Sequence, residues 1–365
     1  MIKKSFEQVS THNKRPSYDK DKALPIKHTF SVNVNIAPAL ARKGAVMGKD
    51  YGYIVLPKSY TDNGEATRLI IVCHGASTTL EEYQSADLVE FSQTYWVNLG
   101  YAIMDMYACP PELASGSEMH YGNPVVLECY EKGFKYVMEN FNLKKDGVFV
   151  VGSSMGGLSA FQIVQSQRFP VLAQVANAPA TDIFKQAYCN PWAKTTYQRE
   201  RIAAYFGFEG EKPEFTELKP VPSRNEIEYF KENFDKTLQY SPIFAGVTDG
   251  DIYGVLRKIP LHEAAPDCEE AALYYQLTAS HPCPLLIIHN MDDSRVSYRY
   301  SEYLYSMIKR GDSSCDVRLK LYESGGHTAW DYGTEATVLD CDGNSIVLSE
   351  SKRMAIGFFR EYEPK

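Results

Sequence analysis

A serine between two glycines is the first feature of this sequence that could do chemistry. The segment Gly152-Ser153-Ser154-Met155-Gly156 follows the apolar run DGVFVVG (146–152), and a helical pattern begins near Met155. A serine on a tight strand-to-helix turn has its hydroxyl exposed above the edge of a sheet, and flanking glycines let strand and helix approach closely. The spacing therefore predicts Ser154 as a nucleophile, whereas Ser153 has the wrong register for such a turn.

A histidine later in the chain could serve as the base. His327 follows Gly325 and Gly326, after the strand-like segment CDVRLKLYES (315–324). Glycines before a histidine let its loop come close to a serine hydroxyl. A histidine in that place takes the serine proton and later returns it to the leaving group. His327 is therefore predicted as the general base.

Three aspartates could hold this histidine. The segment PLLIIHNMDDSRVS (284–297) joins an apolar strand to a turn that contains Asp292 and Asp293, and Asp182 follows the strand-like VLAQVAN (171–177). Each follows the end of a strand and precedes His327, which gives the chain order serine, acid, histidine. The acid would fix the tautomer of the histidine and stabilise its charged form. The residues alone leave all three candidates open.

A turn near the start of the chain could stabilise negative charge. His74-Gly75-Ala76-Ser77 ends the apolar run RLIIVCHG (68–75). Attack on an ester creates an oxyanion, which needs two backbone N–H groups already pointing at it. Met155, after the nucleophile, is predicted to supply one, and Ala76 the other, with Gly75 as the alternative. His74 precedes the nucleophile, so we expect it to orient the turn rather than act as a base.

Strand-like and helical segments alternate along most of the chain. HTFSVNVNI (28–36) and YGYIVLP (51–57) predict an edge strand and an antiparallel partner. The later strands are expected at 68–75, 100–108, 146–152, 171–177, 283–290 and 315–324, and the helices at about 81–98, 123–141, from about 155, 298–310 and 351–362. This alternation predicts an α/β fold, a mostly parallel sheet with helices on both faces.

Residues 181–283 interrupt the alternation with prolines, aromatic residues and short helical pieces. A structureless loop of that length is uncommon inside a compact domain. We therefore expect a cap insertion at 181–283, a core formed by 46–180 and 284–365, and an N-terminal arm with its edge strand at 1–45. The alternative is an ordinary helical excursion of the sheet.

Composition excludes several classes of function. The net charge of −8 disfavours nucleic acid as a partner. No apolar stretch is long enough for a membrane span and the N-terminus has no signal-peptide pattern, so a cytoplasmic location is expected. The eight cysteines form no C-x-x-C pair, and Cys73 and Cys129 are expected to be buried thiols. Neither H-E-x-x-H nor G-x-G-x-x-G occurs, so no metal or cofactor is predicted. The oligomeric state is left open.

Four segments together resemble the α/β-hydrolase superfamily of serine hydrolases. HGAS, GSSMGG and HNMDDSRV are similar to segments of bacterial esterases and of the catalytic domain of the prolyl-oligopeptidase family, over roughly 50–180 and 284–335. In these families the acid lies in the frame H-G-x-x-D-x-x-V. That frame implies Asp293 as the acid, with Val296 in phase. Asn290 replaces the usual glycine, and asparagine still tolerates a positive φ.

The resemblance implies a serine hydrolase of the carboxylesterase type, which cleaves esters through an acyl-enzyme intermediate. The aromatic-rich insertion suggests a small-molecule or carbohydrate-linked ester as substrate. A peptidase or an acyltransferase on the same fold is the first alternative. A non-catalytic binding protein is the second, and the complete set of Ser154, Asp293 and His327 argues against it.

Overall fold

The computed structural model describes residues 26–44, 46–76, 78–85, 94–113, 120–183, 196–214, 223–259, 268–327 and 330–365. Most of the predicted N-terminal arm lies outside the described residues. Among the residues described, no helix is both long and apolar enough to cross a membrane.

The described strands are β1 Ile26–Asn35, β2 Met47–Leu56, β3 Leu69–Cys73, β4 Ala102–Met106, β5 Val148–Ser153, β6 Val171–Asn177, β7 Val247–Asp249, β8 Thr278–Ala279, β9 Leu285–Asn290, β10 Val317–Tyr322, β11 Ala336–Leu339 and β12 Ser345–Leu348. Eight of them form one sheet in the order β1-β2-β4-β3-β5-β6-β9-β10. The six strands from β4 to β10 in this order are parallel, and β2 is antiparallel to both of its neighbours. The predicted, mostly parallel sheet is confirmed. So are the edge position of β1 and its antiparallel pairing with β2.

The described helices are α1 Leu80–Gln84, α2 Thr94–Asn98, α3 Val126–Asn140, α4 Gly156–Gln165, α5 Thr196–Tyr205, α6 Arg224–Glu232, α7 Asp235–Leu238, α8 Pro242–Ala245, α9 Ile252–Lys258, α10 Cys268–Tyr274, α11 Tyr298–Gly311 and α12 Glu350–Glu361. A helix begins where one was predicted at 81–98, but it does not continue to 98, because Ser85 is extended and ends α1. Residues 86–93 lie outside the described part of the chain.

The parallel strands are buried because helices cover the sheet. Every residue of β3, β4 and β9 is buried, as expected for strands that read as continuous apolar runs. Cys73 on β3 and Cys129 on α3 are buried free thiols, as predicted. The carboxyl ends of β3, β5, β9 and β10 meet at one edge of the sheet, which is where a ligand site forms in folds of this class.

Hydrogen bonds join the start of the segment 181–283 to its middle, around α8. The N–H of Ile243 on α8 donates to the carbonyl oxygen of Thr181 at 3.0 Å. The N–H of Ile183 donates to Ser241 Oγ at 3.1 Å. Its own helices carry a buried ion pair between Arg199 and Glu226. That 181–283 forms a cap remains a prediction, and the segments 184–195, 215–222 and 260–267 lie outside the described residues.

The hairpin of β11 and β12 was not predicted from the sequence. Ala336 pairs with Leu348 and Leu339 with Ser345, and a tight turn at Asp340–Asn344 joins the strands. Asp340 accepts backbone N–H groups of Asp342 and Asn344, which is how aspartate closes such turns. The turn segment Cys341-Asp342-Gly343-Asn344 between two short apolar runs is a hairpin signal.

A buried carboxylate supports the loop that follows β4. Asp50 on β2 is fully buried, and its Oδ2 accepts the N–H of Ala108 at 3.0 Å. The preceding carbonyl oxygen, that of Tyr107, lies 3.2 Å from Nε2 of His74. Burial raises the pKa of Asp50 from its usual value of 3.8 to about 7. Asp50 therefore binds a proton in the folded protein at a pH where it has lost it in the unfolded chain.

We expect Asp50→Asn to gain stability relative to wild type as pH rises. Because the folded-state pKa is raised, wild type binds more protons folded than unfolded between about pH 4 and 7, and its free energy of unfolding falls over that range. The asparagine variant has no carboxyl group at position 50, so this fall in the free energy of unfolding is absent from it. Tm measured for both proteins from pH 4 to 8 checks the prediction. A Tm difference that stays constant across this range would contradict it.

Candidate active site

Ser154 occupies a strained turn between β5 and α4. Its φ is +55°, a value that non-glycine residues adopt only where the surroundings enforce it. The start of α4 lies directly against β3, since a β-carbon built on Gly156 would be 2.0 Å from the carbonyl oxygen of Cys73. Only glycine fits there. The structure therefore has the predicted tight turn between strand and helix, with Ser154 on it. The role of Ser154 as nucleophile stays a prediction.

His327 joins the serine and the acid. Its Nε2 lies 2.9 Å from Ser154 Oγ, and its Nδ1 lies 2.7 Å from Asp293 Oδ2. The three side chains come from the turns after β5, β9 and β10, which are brought to one edge by the sheet. The side chain of His327 is partly exposed, whereas the side chain of Asp293 is fully buried. This arrangement can transfer the serine proton to His327 while Asp293 holds the other ring nitrogen.

The structure places Asp293, and neither alternative, at Nδ1 of His327. Asp292 is exposed and instead accepts the backbone N–H groups of Gly325 and Gly326, at 3.1 and 2.8 Å. Asp182 is buried after β6. The frame ending at Val296 thus selects the aspartate that contacts the histidine.

Asp293 is ionised although it is buried. Its Oδ1 accepts the N–H groups of Arg295 and Val296 at 2.8 and 3.0 Å, and its Oδ2 faces His327 and His289. Burial would raise the pKa of Asp293, but the hydrogen bonds from His289 and His327 and the charge of His327 outweigh it. They hold the pKa well below its usual value. A permanently charged acid stabilises a protonated His327.

His289 is a site residue to which the sequence assigned no role. It is fully buried on β9, and its Nε2 lies 3.2 Å from Asp293 Oδ2 and 3.0 Å from the carbonyl oxygen of Val296. Its Nδ1 lies 2.8 Å from Ser301 Oγ on α11. With acceptors at Nε2, that nitrogen carries the proton and Ser301 donates to Nδ1. A histidine at the end of a fully apolar strand, four residues before the acid, was the signal available.

Trp330 anchors the other side of the histidine loop. It is fully buried at a positive φ of 71°, and its Nε1–H donates to Ser153 Oγ at 2.9 Å. Its carbonyl oxygen accepts the hydroxyl of Ser351 at 2.8 Å. Ser153, beside the nucleophile, therefore has a structural partner. Residues 328–329 lie outside the described part of the loop.

The turn after β3 lies beside the nucleophile. A β-carbon on Gly75 would be 3.7 Å from Ser154 Cβ. Nδ1 of His74 lies 2.8 Å from the carbonyl oxygen of Gly75, and Nε2 faces that of Tyr107, so this histidine braces the turn as expected. Met155 stands at the N-cap of α4, where backbone N–H groups have no partner within the helix. The oxyanion roles of Ala76 and Met155 stay predictions, and Ser77 lies outside the described residues.

Across the part of the chain that the structure describes, no group of three or more histidine, cysteine, aspartate or glutamate side chains could hold a metal ion. The polar side chains at this edge of the sheet are used instead in the hydrogen bonds around Ser154, His327 and Asp293. What the arrangement can supply is an activated hydroxyl and a proton carrier.

Strand order, the strained serine turn and the chain order Ser154, Asp293, His327 define an α/β-hydrolase fold. No protein-family model matches the chain, and no curated protein matches its sequence.

Several solved structures are similar to it. Acylaminoacyl peptidase from Pyrococcus horikoshii has 14% identity and a TM-score of 0.48, over 84% of this chain and 38% of the peptidase. Prolyl oligopeptidase B from Galerina marginata has 15% identity and a TM-score of 0.45, over 82% and 34%. S-formylglutathione hydrolase from Agrobacterium tumefaciens has 11% identity and a TM-score of 0.47, over 83% and 89%. The chain thus spans little more than a third of the two peptidases.

We expect Asp293→Asn to slow the reaction of Ser154 far more than Asp292→Asn. An asparagine amide at position 293 can donate to Nδ1 and so favour the tautomer that cannot accept the serine proton, a change that costs about 10⁴-fold in a triad. Asp292 contacts backbone N–H groups only. The rate of Ser154 labelling by a fluorophosphonate measures both variants. The reverse ranking would move the acid to Asp292, and equally small effects would point to Asp182.

Proposed function

We propose that this protein is a serine hydrolase that cleaves carboxylic esters through an acyl-enzyme intermediate. The observation that carries the proposal is the continuous chain of hydrogen bonds from Ser154 Oγ through both nitrogens of His327 to the buried Asp293. A serine hydroxyl is a weak nucleophile unless an oriented base takes its proton. A hydrogen-bond chain of this order supplies that base and orients it.

The reaction follows from these contacts. Ser154 Oγ attacks the ester carbonyl carbon while its proton passes to Nε2 of His327. The oxygen of the tetrahedral intermediate accepts backbone N–H groups, which we assign to Met155 and Ala76. His327 then gives the proton to the leaving alcohol, which departs and leaves an acyl group on Ser154. Water then attacks the acyl carbonyl carbon while its proton passes to His327. The bond to Ser154 Oγ breaks, His327 returns the proton to that oxygen, and the carboxylic acid leaves with the free serine restored.

The substrate is proposed to be a small-molecule or carbohydrate-linked ester. A panel of p-nitrophenyl esters of increasing acyl length tests the reaction and measures how long an acyl group the site accepts. Product analysis with peptide substrates and with alcohol acceptors tests the peptidase and acyltransferase alternatives. Turnover of peptides but not esters would replace the proposed activity by the first of them.

We expect Ser154→Ala to abolish ester hydrolysis and fluorophosphonate labelling with the fold intact. The matched control is Ser153→Ala, next to it in the chain. That variant leaves the Nε1–H of Trp330 without its partner, so it should lose about 1–3 kcal/mol of unfolding free energy but keep most of its labelling. Labelling, turnover and Tm are measured for both. Turnover retained by Ser154→Ala would refute the proposed nucleophile.

We expect the rise of kcat/KM with pH to contain no ionisation of Asp293. Only neutral His327 can accept the serine proton, and Asp293 stays charged because its pKa is held well below the usual value. The acid limb of the pH profile therefore contains one group. Two ionisations in that limb, measured on the wild-type enzyme, would mean that Asp293 titrates with the histidine.

His327→Ala should lower kcat by several orders of magnitude, as Ser154→Ala does. The two losses should not multiply in the double variant, because the residues act as one unit. Kinetics of both single variants and of the double variant measure the coupling. A double variant slower than either single variant by the full product of their losses would show independent action and contradict the triad.

A further inference from the structure

Three hydrogen bonds join the acid turn to the glycines that precede His327. Asp292 Oδ2 accepts the N–H of Gly325 at 3.1 Å, and Asp292 Oδ1 accepts that of Gly326 at 2.8 Å. From the opposite side, Asn290 Nδ2 donates to the carbonyl oxygen of Gly326 at 2.7 Å. The N–H and the carbonyl oxygen of Gly326 are thus both bound by residues that lie within three positions of Asp293.

The glycine loop is shaped to fit these two side chains. Gly325 has a φ of +145° and Gly326 a φ of +63°, values that leave both N–H groups free to meet one carboxylate. A β-carbon on Gly325 would lie 2.5 Å from Asn290 Nδ2. Asn290 ends β9 and is not among the residues with positive φ. Its presence where the superfamily frame has glycine is therefore explained by its amide contact, and not by backbone conformation.

We propose that Asn290 and Asp292 are positioning residues that hold the backbone before His327 in register with Ser154. The inference rests on the proposed function. His327 is then fixed at two points from a single turn: Asp293 binds its ring, and Asn290 with Asp292 binds its backbone. A carboxylate bound to two N–H groups restricts the loop more than one contact does, because it holds the peptide groups on both sides of Gly325.

This role differs from that of Trp330 at the far end of the same loop. Trp330 is tied to Ser153 and Ser351, so it fixes the chain after His327. Asn290 and Asp292 fix the chain before it. Loss of one anchor leaves the other in place, so we expect a displaced but still folded His327 loop when Asp292 is shortened.

The test compares Asp292→Ala with Asp312→Ala, a control at the end of the sheet where the parallel strands begin. Asp312, before β10, also accepts two backbone N–H groups, those of Ser314 and Cys315, at 3.0 and 3.2 Å. We expect Asp292→Ala to lower kcat about 10- to 100-fold with KM unchanged, as a displacement of about 1 Å can. Asp312→Ala should lower Tm to a similar extent and leave kcat unchanged.

Asp292→Asn keeps one oxygen acceptor, so its kcat should lie between those of wild type and Asp292→Ala. Asn290→Ala should lower kcat in the same way, since it removes the donor to Gly326. An unchanged kcat in Asp292→Ala would overturn the proposal. Equal losses of kcat in Asp292→Ala and Asp312→Ala would also overturn it, because they would indicate general destabilisation.

A second readout reports on His327 without activity. The proton on Nδ1, held by Asp293 at 2.7 Å, should give a far-downfield ¹H NMR signal that His327→Ala removes. We expect this signal to be lost or shifted in Asp292→Ala and retained in Asp312→Ala. A lower kcat with an unchanged signal would overturn the proposal, because Asp292 would then act elsewhere. If wild type neither hydrolyses esters nor labels with fluorophosphonate, the proposed function fails, and the signal alone decides on the positioning role.

Discussion

The parallel pairing of β9 with β10 sets the geometry on which the three side chains depend. Asn290 pairs with Tyr322 at the ends of these strands, and the N–H of Met291 extends the pairing to the Tyr322 carbonyl oxygen at 2.8 Å. The acid turn and the glycine loop therefore leave the sheet side by side. A slip of one residue would turn every side chain of β9 to the other face. All six residues of β9 are buried, so the packing of both faces holds this register.

The buried charge of Asp293 requires hydrogen-bond partners, and these partners fix the position of the acid within the site. A buried carboxylate is costly unless its oxygens are hydrogen-bonded. Two backbone N–H groups occupy Oδ1, and His289 and His327 share Oδ2. Since His289 is bound in turn to Ser301, the orientation of the acid depends on α11 as well as on its own turn. The hydrogen bonds that orient Asp293 also keep it charged, so the charge and the geometry of the site depend on the same contacts.

The parts of the site that the sequence predicted are those with local signals. The turn at Ser154 needs a strand before it, a helix after it and small neighbours, and all three can be read within a short segment. The contact that Trp330 makes with Ser153 could not be read in this way, and the one signal for His289 was its place four residues before the acid. Trp330 meets Ser153 across 177 positions of the chain, and that contact exists only once the sheet is assembled. The end of α1 was also missed, because one helix was expected across 81–98, whereas the backbone of Ser85 is extended.

The hydrogen-bond ladder of the sheet continues beyond the strands into the site. The N–H of Ser154 donates to Asn177 at the end of β6, and the N–H of Ala178 donates to Ile288 on β9. The N–H of Met291 then donates to Tyr322 on β10. Each turn is thus held by the neighbouring strand as well as by contacts of its own. Ser154 and Ala178 both have positive φ, a conformation that costs about 1–3 kcal/mol for each such residue and persists only where the surroundings impose it. The ladder imposes it, and so the strain at the nucleophile is maintained by the same strands that align His327 and Asp293.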